Sequence, residues 1–322
     1  MICIGIDGGG TTTRAVVARF VSSTPEVLGR GSAPSSNHYS VGLETATRHI
    51  AQAADEALKN ANLKRDEIGA WGLGLAGACT HDEQKLWRSR LVALVGNAHV
   101  VVDEDVAAAH AGAFASAPAL APASAPNEKR TGVVCIAGTG ANSFGIGADG
   151  RRARADGWGP LLGDRGSGYR IGENTIRAAC TLHDKASPDD SASPLLVRVL
   201  DHFGVASVDA LLPIVYAPTF TKDQISALVP IAVQCAQDGD DIACQILQNA
   251  GHDLAATCAA VMSSLDLCRV APHGSILQNV SLVRQSFESH LHARFPNLEL
   301  VEPRYEAVIG AAFLAFDEMF AL

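Results

Sequence analysis

A strand–turn–strand pattern rich in glycine and threonine occurs twice in this chain and constrains its fold more than any other feature. The first copy, Ile2 to Thr13, reads ICIGIDGGGTTT and leads into a second apolar run, Ala15 to Phe20. The second copy is the run Gly132 to Ala137, the turn Gly138-Thr139-Gly140 and the returning run Ser143 to Ile146. Each copy opens a βββαβα-like unit, which predicts duplicated α/β domains facing one another across a cleft. Glycine-rich hairpins are also common, so a superficial similarity is the alternative.

The chemistry of the first turn favours a phosphate. Three consecutive glycines let backbone N–H groups point at an oxyanion, and threonine hydroxyls add donors beside them. Asp7 precedes the glycines, and phosphates would repel its carboxylate unless a cation lay between them. The pattern therefore predicts Mg²⁺ at Asp7, held through water. A glycine-turn hairpin that binds nothing has the same sequence signature.

Composition narrows the function classes. The 322 residues are 48% hydrophobic and 18% charged, which predicts a large buried core and two domains. A net charge of −9 argues against nucleic acid or an anionic membrane as the main partner. No apolar run approaches the roughly 18 residues of a membrane span, and no basic region precedes a cleavable apolar segment at the N-terminus. We expect a cytoplasmic protein that draws a small molecule into a cleft.

Two further motifs are weak. The eight cysteines form no CxxC pair and lie mostly in apolar patterns, which favours buried free thiols over a disulfide framework or a metal site. Gly72, Gly74 and Gly77 fit GxGxxG, but two of them fall inside a predicted strand, Ala70 to Leu75. No acidic residue follows at the expected offset, so we do not predict a dinucleotide site.

Polar residues at two element boundaries have two interpretations each. Asp103-Glu104-Asp105 follows a short strand and begins a helix, so these acids cap the helix or supply a general base at the strand ends. Asn37 lies with His38 and Tyr39 on a loop before a helix. These side chains cap that helix or bind a polyol.

The densest motif is Gly157 to Tyr169, GWGPLLGDRGSGY. Five glycines and a proline in thirteen residues predict no regular element. Trp158, Leu161 and Leu162 are too apolar for a free surface loop, so we expect this segment to be packed around something. A plain core aromatic residue is the alternative for Trp158. Capping of the next helix is the alternative for Asp164.

Apolar spacing predicts further elements in the C-terminal half. The helices expected there are Pro194 to His202, Val208 to Tyr216, Asp223 to Cys235, Asp240 to Ser263, Val280 to Arg294 and Tyr305 to Phe320. The strands are Arg269 to His273 and Leu298 to Val301.

Seven of these segments together resemble a known family. They are IDGGGTTT, SNHY, GLAGA, VDEDVAAA, IAGTGANS, GWGPLLGDRGSGY and PHGSILQN. Their order and spacing resemble those of N-acetylglucosamine kinases of the BadF/BadG/BcrA/BcrD ATPase-like family, over essentially the whole chain. The resemblance implies two actin-like, ribonuclease H-like domains with ATP and an amino sugar in the cleft between them. We expect the domains at 1–115 and 132–322, an Ala/Pro-rich linker at 116–131, and a last helix packing on the first domain.

The resemblance also implies roles for individual residues. Contacts to ATP phosphates or the nucleotide side are implied for Gly9, Gly10, Thr11, Thr139, Gly140, Gly274 and Ser275, with Asp7 near Mg²⁺. Contacts to the sugar are implied for Asn37, Asp105, Gly157, Trp158, Gly159 and Asp164. Asp105 would also be the catalytic base.

The activity that this resemblance implies is transfer of phosphate from ATP to the 6-hydroxyl of N-acetylglucosamine, by a protein that we expect to be a homodimer. Glucosamine kinase, an activator-type ATPase and a sugar-sensing regulator are the alternatives. The scattered cysteines argue against the cluster-holding activator, and no helix-turn-helix precedes Asp7. The sequence departs from the family in its longer linker, in Arg165 where an acid is frequent, and in the kind of aromatic residue at Tyr39.

Overall fold

The computed structural model describes residues 1–21, 24–96, 98–115, 130–186 and 193–320. Most of the expected linker, at 116–129, lies outside the described residues. The strands are β1 Ile2–Gly8, β2 Thr12–Val21, β3 Thr24–Pro34, β4 Ala70–Leu75, β5 His99–Glu104, β6 Gly132–Ala137, β7 Ala141–Ile146, β8 Arg152–Asp156, β9 Arg269–His273 and β10 Glu299–Leu300.

The helices alternate with these strands in the first half of the chain and dominate the second half. They are α1 His38–Val41, α2 Leu43–Ala61, α3 His81–Val95, α4 Asp105–Ala113, α5 Gly159–Leu162, α6 Gly168–Lys185, α7 Pro194–Phe203, α8 Leu212–Val215, α9 Lys222–Ser226, α10 Val229–Gln237, α11 Asp241–Leu265, α12 Ser275–Asn279, α13 Ser281–Arg294 and α14 Ala307–Phe320.

The two sheets share one topology. The first has the strand order β3-β2-β1-β4-β5, and the second, read from the opposite edge, has the order β8-β7-β6-β9-β10. Each sheet therefore contains its strands in the order third, second, first, fourth and fifth. In the first sheet β2 is antiparallel to β1 and β3, whereas β1, β4 and β5 run parallel. The duplication inferred from the two glycine–threonine turns is confirmed at the level of topology.

The contacts within the chain define two compact units. Unit 1 comprises Met1–Val134, Phe144–Arg152 and Val301–Leu322, and unit 2 comprises Cys135–Ser143 and Ala153–Leu300. In unit 1 both faces of the sheet are covered, because alternate residues of β1 join different apolar clusters. Ile4 and Ile6 pack with residues of α2 and α3, whereas Cys3 packs with residues of α14.

Glycines bring α14 into backbone contact with the sheet of unit 1. A Cβ at Gly72 would lie 1.9 Å from the Ala311 carbonyl oxygen, and one at Gly5 would lie 2.3 Å from the Val308 oxygen. Gly74 likewise leaves room for α4, because a Cβ there would lie 2.4 Å from the Cβ of Ala108. Gly72 and Gly74, the two strand glycines of the GxGxxG match, therefore have packing roles. Among the described residues, no helix is long and apolar enough to cross a membrane.

Two of the helices predicted for the C-terminal half were wrong. The helix expected from Asp223 to Cys235 is divided into α9 and α10, with Pro230 in the first turn of α10. The helix expected from Val208 to Tyr216 is a 3₁₀ turn followed by α8, with Pro213 at the start. Proline lacks the N–H that a continuous helix needs at an interior position. The short helix α12 was not predicted.

Candidate active site

The first glycine turn lies against the loop that carries Asn37. The N–H of Gly9 donates to the Thr12 carbonyl oxygen at 3.0 Å, which closes the β1–β2 hairpin. The Ser35 hydroxyl donates to the Gly9 oxygen at 3.1 Å, and a Cβ at Gly8 would lie 2.5 Å from Ser36 Oγ. The missing side chain at Gly8 therefore lets this loop approach the end of β1.

Strand register brings Asp7 and Asp105 close to one another. Asp7 is paired with Gly74 of β4, where a Cβ would lie 3.3 Å from the Cα of Asp105. The absent side chain at Gly74 thus lets α4 begin beside β1. Burial, and then the charge of Asp105, raise the pKa of Asp7 to about 7, although Arg14 on β2 opposes the shift. The carboxylate of Asp7 thus interacts with the carboxylate of Asp105 and the guanidinium of Arg14 at the end of β1.

The three acids after β5 have different surroundings. Asp103 forms an ion pair with Arg152 at 2.5 Å, and its Oδ1 accepts the N–H of Glu104. Asp105 is the first residue of α4, and its Oδ1 accepts the N–H of Val106 at 2.9 Å. The helix N-terminus stabilises a negative charge at Asp105. Asp105 is the aspartate whose charge raises the pKa of Asp7.

Asn37 has the capping role that the sequence allowed. Its Oδ1 accepts the N–H of Tyr39 at 3.1 Å at the start of α1. On either side of it, Ser36 Oγ and His38 Nδ1 are buried without a hydrogen-bond partner in the described structure. Buried polar atoms are rarely left unpaired, so this loop has unused capacity to bind a polar ligand.

In unit 2 the second glycine turn is held by the beginning of α6. Gly138 donates to the Gly140 carbonyl oxygen at 2.9 Å within the turn. Gly168 then donates to the oxygen of Gly138 at 2.8 Å, and Tyr169 donates to that of Thr139 at 3.1 Å. These bonds fix the carbonyl groups of the turn.

Gly274 and Ser275 adjoin this second turn. Gly274 has a φ of +88°, and a Cβ there would lie 2.4 Å from the Ala137 carbonyl oxygen at the end of β6. Ser275 Oγ lies 4.0 Å from the position that a Cβ at Gly138 would take. Only glycine fits at position 274, because the backbone is left-handed and the space is filled.

Asp164 lies over the same turn. Its side chain is buried, and its Oδ1 accepts the N–H of Ala141 at 3.3 Å. A Cβ at Gly140 would lie 3.1 Å from its carboxylate. Burial is the main cause that raises the pKa of Asp164, and the charge of Asp156 adds to the shift.

The Gly157-Trp158-Gly159 segment is not packed as the sequence predicted. Trp158 is 60% exposed, and Leu161 and Leu162 are 88% and 83% exposed. The segment from Gly159 to Leu162 also forms the short helix α5, where no regular element was expected. Apolar composition alone predicted burial here, but Arg154 covers only one face of the indole, at 4.9 Å.

The structure thus groups the proposed residues by unit. Unit 1 places Asp7, Gly9 and Asp105 at the ends of adjoining strands, with the Asn37 loop against the turn. Unit 2 gathers residues around its own turn, namely Thr139, Gly140, Asp164, Gly274 and Ser275.

Sequence reasoning missed two polar residues of unit 2. Asp156 is buried, and its carboxylate accepts backbone N–H groups next to Asp164. Asn142 lies under Gly157, where a Cβ would be 2.4 Å from its Nδ2, and its Oδ1 is buried without a partner. In the sequence, their position next to glycine-rich motifs was the available sign that Asp156 and Asn142 belong to the site.

A family comparison agrees with this arrangement. Residues 4–315 match the BadF/BadG/BcrA/BcrD ATPase family. The chain belongs to this family. The resemblance that the seven sequence segments indicated is therefore confirmed.

Curated relatives of this family member are named sugar kinases. An N-acetyl-D-glucosamine kinase of Dictyostelium discoideum is 29% identical, covering 98% of each chain. An N-acetylmuramic acid/N-acetylglucosamine kinase of Clostridium acetobutylicum is 27% identical, with 98% of each chain covered. A glucosamine kinase of Vibrio cholerae is 25% identical over 97% of this chain and 95% of its own. The three names differ in the sugar and agree in the reaction.

A solved structure shows the same fold. A protein from Chromobacterium violaceum, provisionally described as an N-acetylglucosamine kinase, superposes with a TM-score of 0.74 at 24% identity. The match covers 97% of this chain and 98% of the other. The predicted actin-like α/β fold is confirmed.

Proposed function

We propose that this chain transfers the γ-phosphoryl group of ATP to the 6-hydroxyl of N-acetylglucosamine, giving N-acetylglucosamine 6-phosphate and ADP. The observation that carries the proposal is the placement of Asp105 beside Asp7 and the first glycine turn. A kinase needs an oxyanion cradle, a cation near it and a carboxylate that can accept the acceptor's proton. Unit 1 contains residue types suited to each requirement. The names of the curated relatives supply the sugar.

Asp105 is the proposed general base. It takes the proton from the 6-hydroxyl as the oxygen attacks the γ-phosphorus, so that the new O–P bond forms while the bond to the ADP oxygen breaks. It lies in the first turn of α4, where the helix dipole favours a negative charge. Asp103 is less suited, because Arg152 already pairs with its carboxylate.

The residues at the end of β1 fit a hydrated Mg²⁺ ion. Burial and the charge of Asp105 raise the pKa of Asp7 to about 7, and a cation beside Asp7 would oppose this shift. Within the described part of the chain, no group of three or more His, Cys, Asp or Glu side chains could hold a metal ion. Mg²⁺ usually keeps several waters and binds one or two carboxylates plus substrate phosphates, which suits Asp7 alone. When bound, the ion neutralises charge on the phosphates.

The remaining contacts to the phosphates and the sugar are proposed for residues whose polar groups lie at the two glycine turns or near them. Gly9, Gly10 and Thr11 in unit 1 would bind phosphates, and unit 2 would use Thr139, Gly140, Gly274 and Ser275. The sugar would be bound by Asn37, Gly157, Trp158, Gly159 and Asp164. The unpaired atoms Ser36 Oγ, His38 Nδ1 and Asn142 Oδ1 support this part, because each adjoins a proposed sugar residue.

Glucosamine is the second candidate acceptor. The Vibrio cholerae relative is named a glucosamine kinase at nearly the same identity as the others. The reaction and the base would be unchanged, and only the contacts to the 2-amino substituent would differ.

The test compares Asp105→Asn with Asp103→Asn as a matched control. We expect kcat for N-acetylglucosamine to fall by roughly 10² to 10⁴ in Asp105→Asn, because general-base catalysis contributes about that factor. Asp103→Asn removes an acid two residues away and should leave kcat within about threefold. Near-normal turnover by Asp105→Asn would remove the base assignment.

A further inference from the structure

Asp156 is buried and holds the backbone of the segment that carries Asp164. Its side chain is 2% exposed, and its Oδ1 accepts the N–H of Asp164 at 2.8 Å. Its Oδ2 accepts the N–H of Arg165, also at 2.8 Å. Two successive backbone N–H groups that share one carboxylate form an anion-binding nest. A carboxylate of this chain occupies the nest.

The space around this carboxylate is closed by Gly163. A Cβ at Gly163 would lie 2.0 Å from Asp156 Oδ1, so no other residue fits without moving the carboxylate. Arg170 holds the opposite side of the segment, because its Nε and Nη2 donate to the Gly163 carbonyl oxygen at 3.2 and 3.1 Å. Asp156 therefore holds the turn through its N–H groups, and Arg170 holds it through the Gly163 carbonyl group.

This arrangement sets the conformation of Asp164. Asp164 has a φ of +55°, a left-handed value that residues other than glycine adopt only when their surroundings favour it. Rotation about φ and ψ of Asp164 sets the angle between the two peptide planes that carry these N–H groups, so their shared bonding to Asp156 holds Asp164 in that region. Its carboxylate then lies on the second glycine turn, bonded to the N–H of Ala141.

We propose that Asp156 is a positioning residue for Asp164, and through it for binding of the sugar in the proposed reaction. The proposal rests on the proposed function, because Asp164 is assigned there to the sugar. Asp156 touches no substrate itself. It fixes where the Asp164 carboxylate is presented.

The side chain of Arg165 has a minor part. Its Nε lies 3.6 Å from Asp156 Oδ2, and the side chain is 57% exposed, so water screens the ion pair. The N–H of Arg165 is the group that matters, and it is present whatever the side chain. Arg165→Gln is therefore a matched control for the loss of charge at this place.

The central variant is Asp156→Asn, which keeps the size of the side chain but turns an N–H₂ group toward one of the two donors. We expect KM for N-acetylglucosamine to rise about tenfold or more, because a buried hydrogen bond to a charged group is lost. We expect kcat to change by less than about threefold, since Asp105 and the first glycine turn are untouched. Arg165→Gln should keep every constant within about twofold.

A second variant approaches the same contact from the other side. Gly163→Ala places a methyl group 2.0 Å from Asp156 Oδ1, closer than two such atoms can come, and should displace the carboxylate from the two N–H groups. It should raise KM for the sugar in the same way, so the proposal stays testable if Asp156→Asn does not fold.

Amide hydrogen exchange of residues 163–166, measured without any ligand, separates this inference from the proposed function. We expect faster exchange in Asp156→Asn and Gly163→Ala than in the wild type and Arg165→Gln. Faster exchange together with a raised KM supports the positioning role. Wild-type exchange, or an unchanged sugar KM in an active enzyme whose exchange is faster, overturns it. If the wild-type protein turns over no sugar at all, the proposed function has failed, and the exchange result still decides whether Asp156 holds the segment.

Discussion

At the residue scale, the end of β1 concentrates negative charge in a partly buried place. Asp7 faces the charge of Asp105, and Glu306 adds a smaller effect of the same sign. Arg14, its cross-strand partner in β2, acts in the opposite direction. Without a cation, the ionised form of Asp7 is therefore disfavoured, which is the property expected of a carboxylate that works beside a metal ion.

This charge environment predicts a pH-dependent stability. The pKa of Asp7 is about 7 in the folded protein, above its ordinary value of 3.8. Its contribution to stability is thus fully present below about pH 4 and is lost as the pH rises through about 7. Asp7→Asn removes that loss, so the variant should gain stability relative to wild type as the pH rises from about 5 to about 8.

Urea unfolding at several pH values in that range, without nucleotide or Mg²⁺, measures the difference. Asp149→Asn is the control, because Asp149 is exposed and Arg151 lowers its pKa. It remains ionised throughout the range, and its effect should be flat. A stability difference for Asp7→Asn that does not change with pH would contradict the assignment.

At the element scale, the packing of α14 on the sheet depends on missing side chains. Gly5 and Gly72 let the helix backbone approach β1 and β4, and Gly310 lets it approach α4, where a Cβ would lie 1.9 Å from the Ala108 oxygen. The last helix is therefore part of the unit 1 core, where its Phe313 packs with Phe20 of β2. Sequence periodicity predicted the helix but gives no measure of how close two backbones come.

Gly72→Ala tests this packing. Its Cβ would meet backbone that cannot move aside as a flexible side chain would, so we expect a loss of about 1–3 kcal/mol in the free energy of unfolding. Gly69→Ala is the matched control, because the nearest atoms to its Cβ would lie at an ordinary 3.6 Å. Equal stabilities of the two variants, measured by chemical denaturation, would contradict the close approach of α14.

At the scale of the whole molecule, local patterns in the sequence predicted the fold well. The strands Ala70–Leu75 and Arg269–His273 have the predicted bounds, because each is a short apolar run that ends at a turn. The helix breaks next to Pro213 and Pro230 were missed because the apolar spacing continues across them.

The candidate site was less accessible to sequence reasoning. Asp105 and Asp164 could be assigned roles because they lie inside motifs of the family that the sequence resembles. Residue chemistry alone left helix capping as an equally good explanation for both. Asp156 was missed because its role depends on a carboxylate reaching N–H groups eight and nine residues further along the chain. Leu161 and Leu162 were predicted to be buried but are exposed. The composition of a loop does not determine which other segments pack against it.

The most direct test of the central claim is ADP release from Mg-ATP by the wild-type chain, measured with a panel of acceptors. The panel contains N-acetylglucosamine, its 6-deoxy analogue, glucosamine, N-acetylmuramic acid and no sugar. We predict turnover that requires N-acetylglucosamine and is absent with the 6-deoxy analogue, since the 6-hydroxyl is the proposed nucleophile. Preference for glucosamine would keep the chemistry and change the substrate. ATP hydrolysis at the same rate with and without sugar would contradict the account.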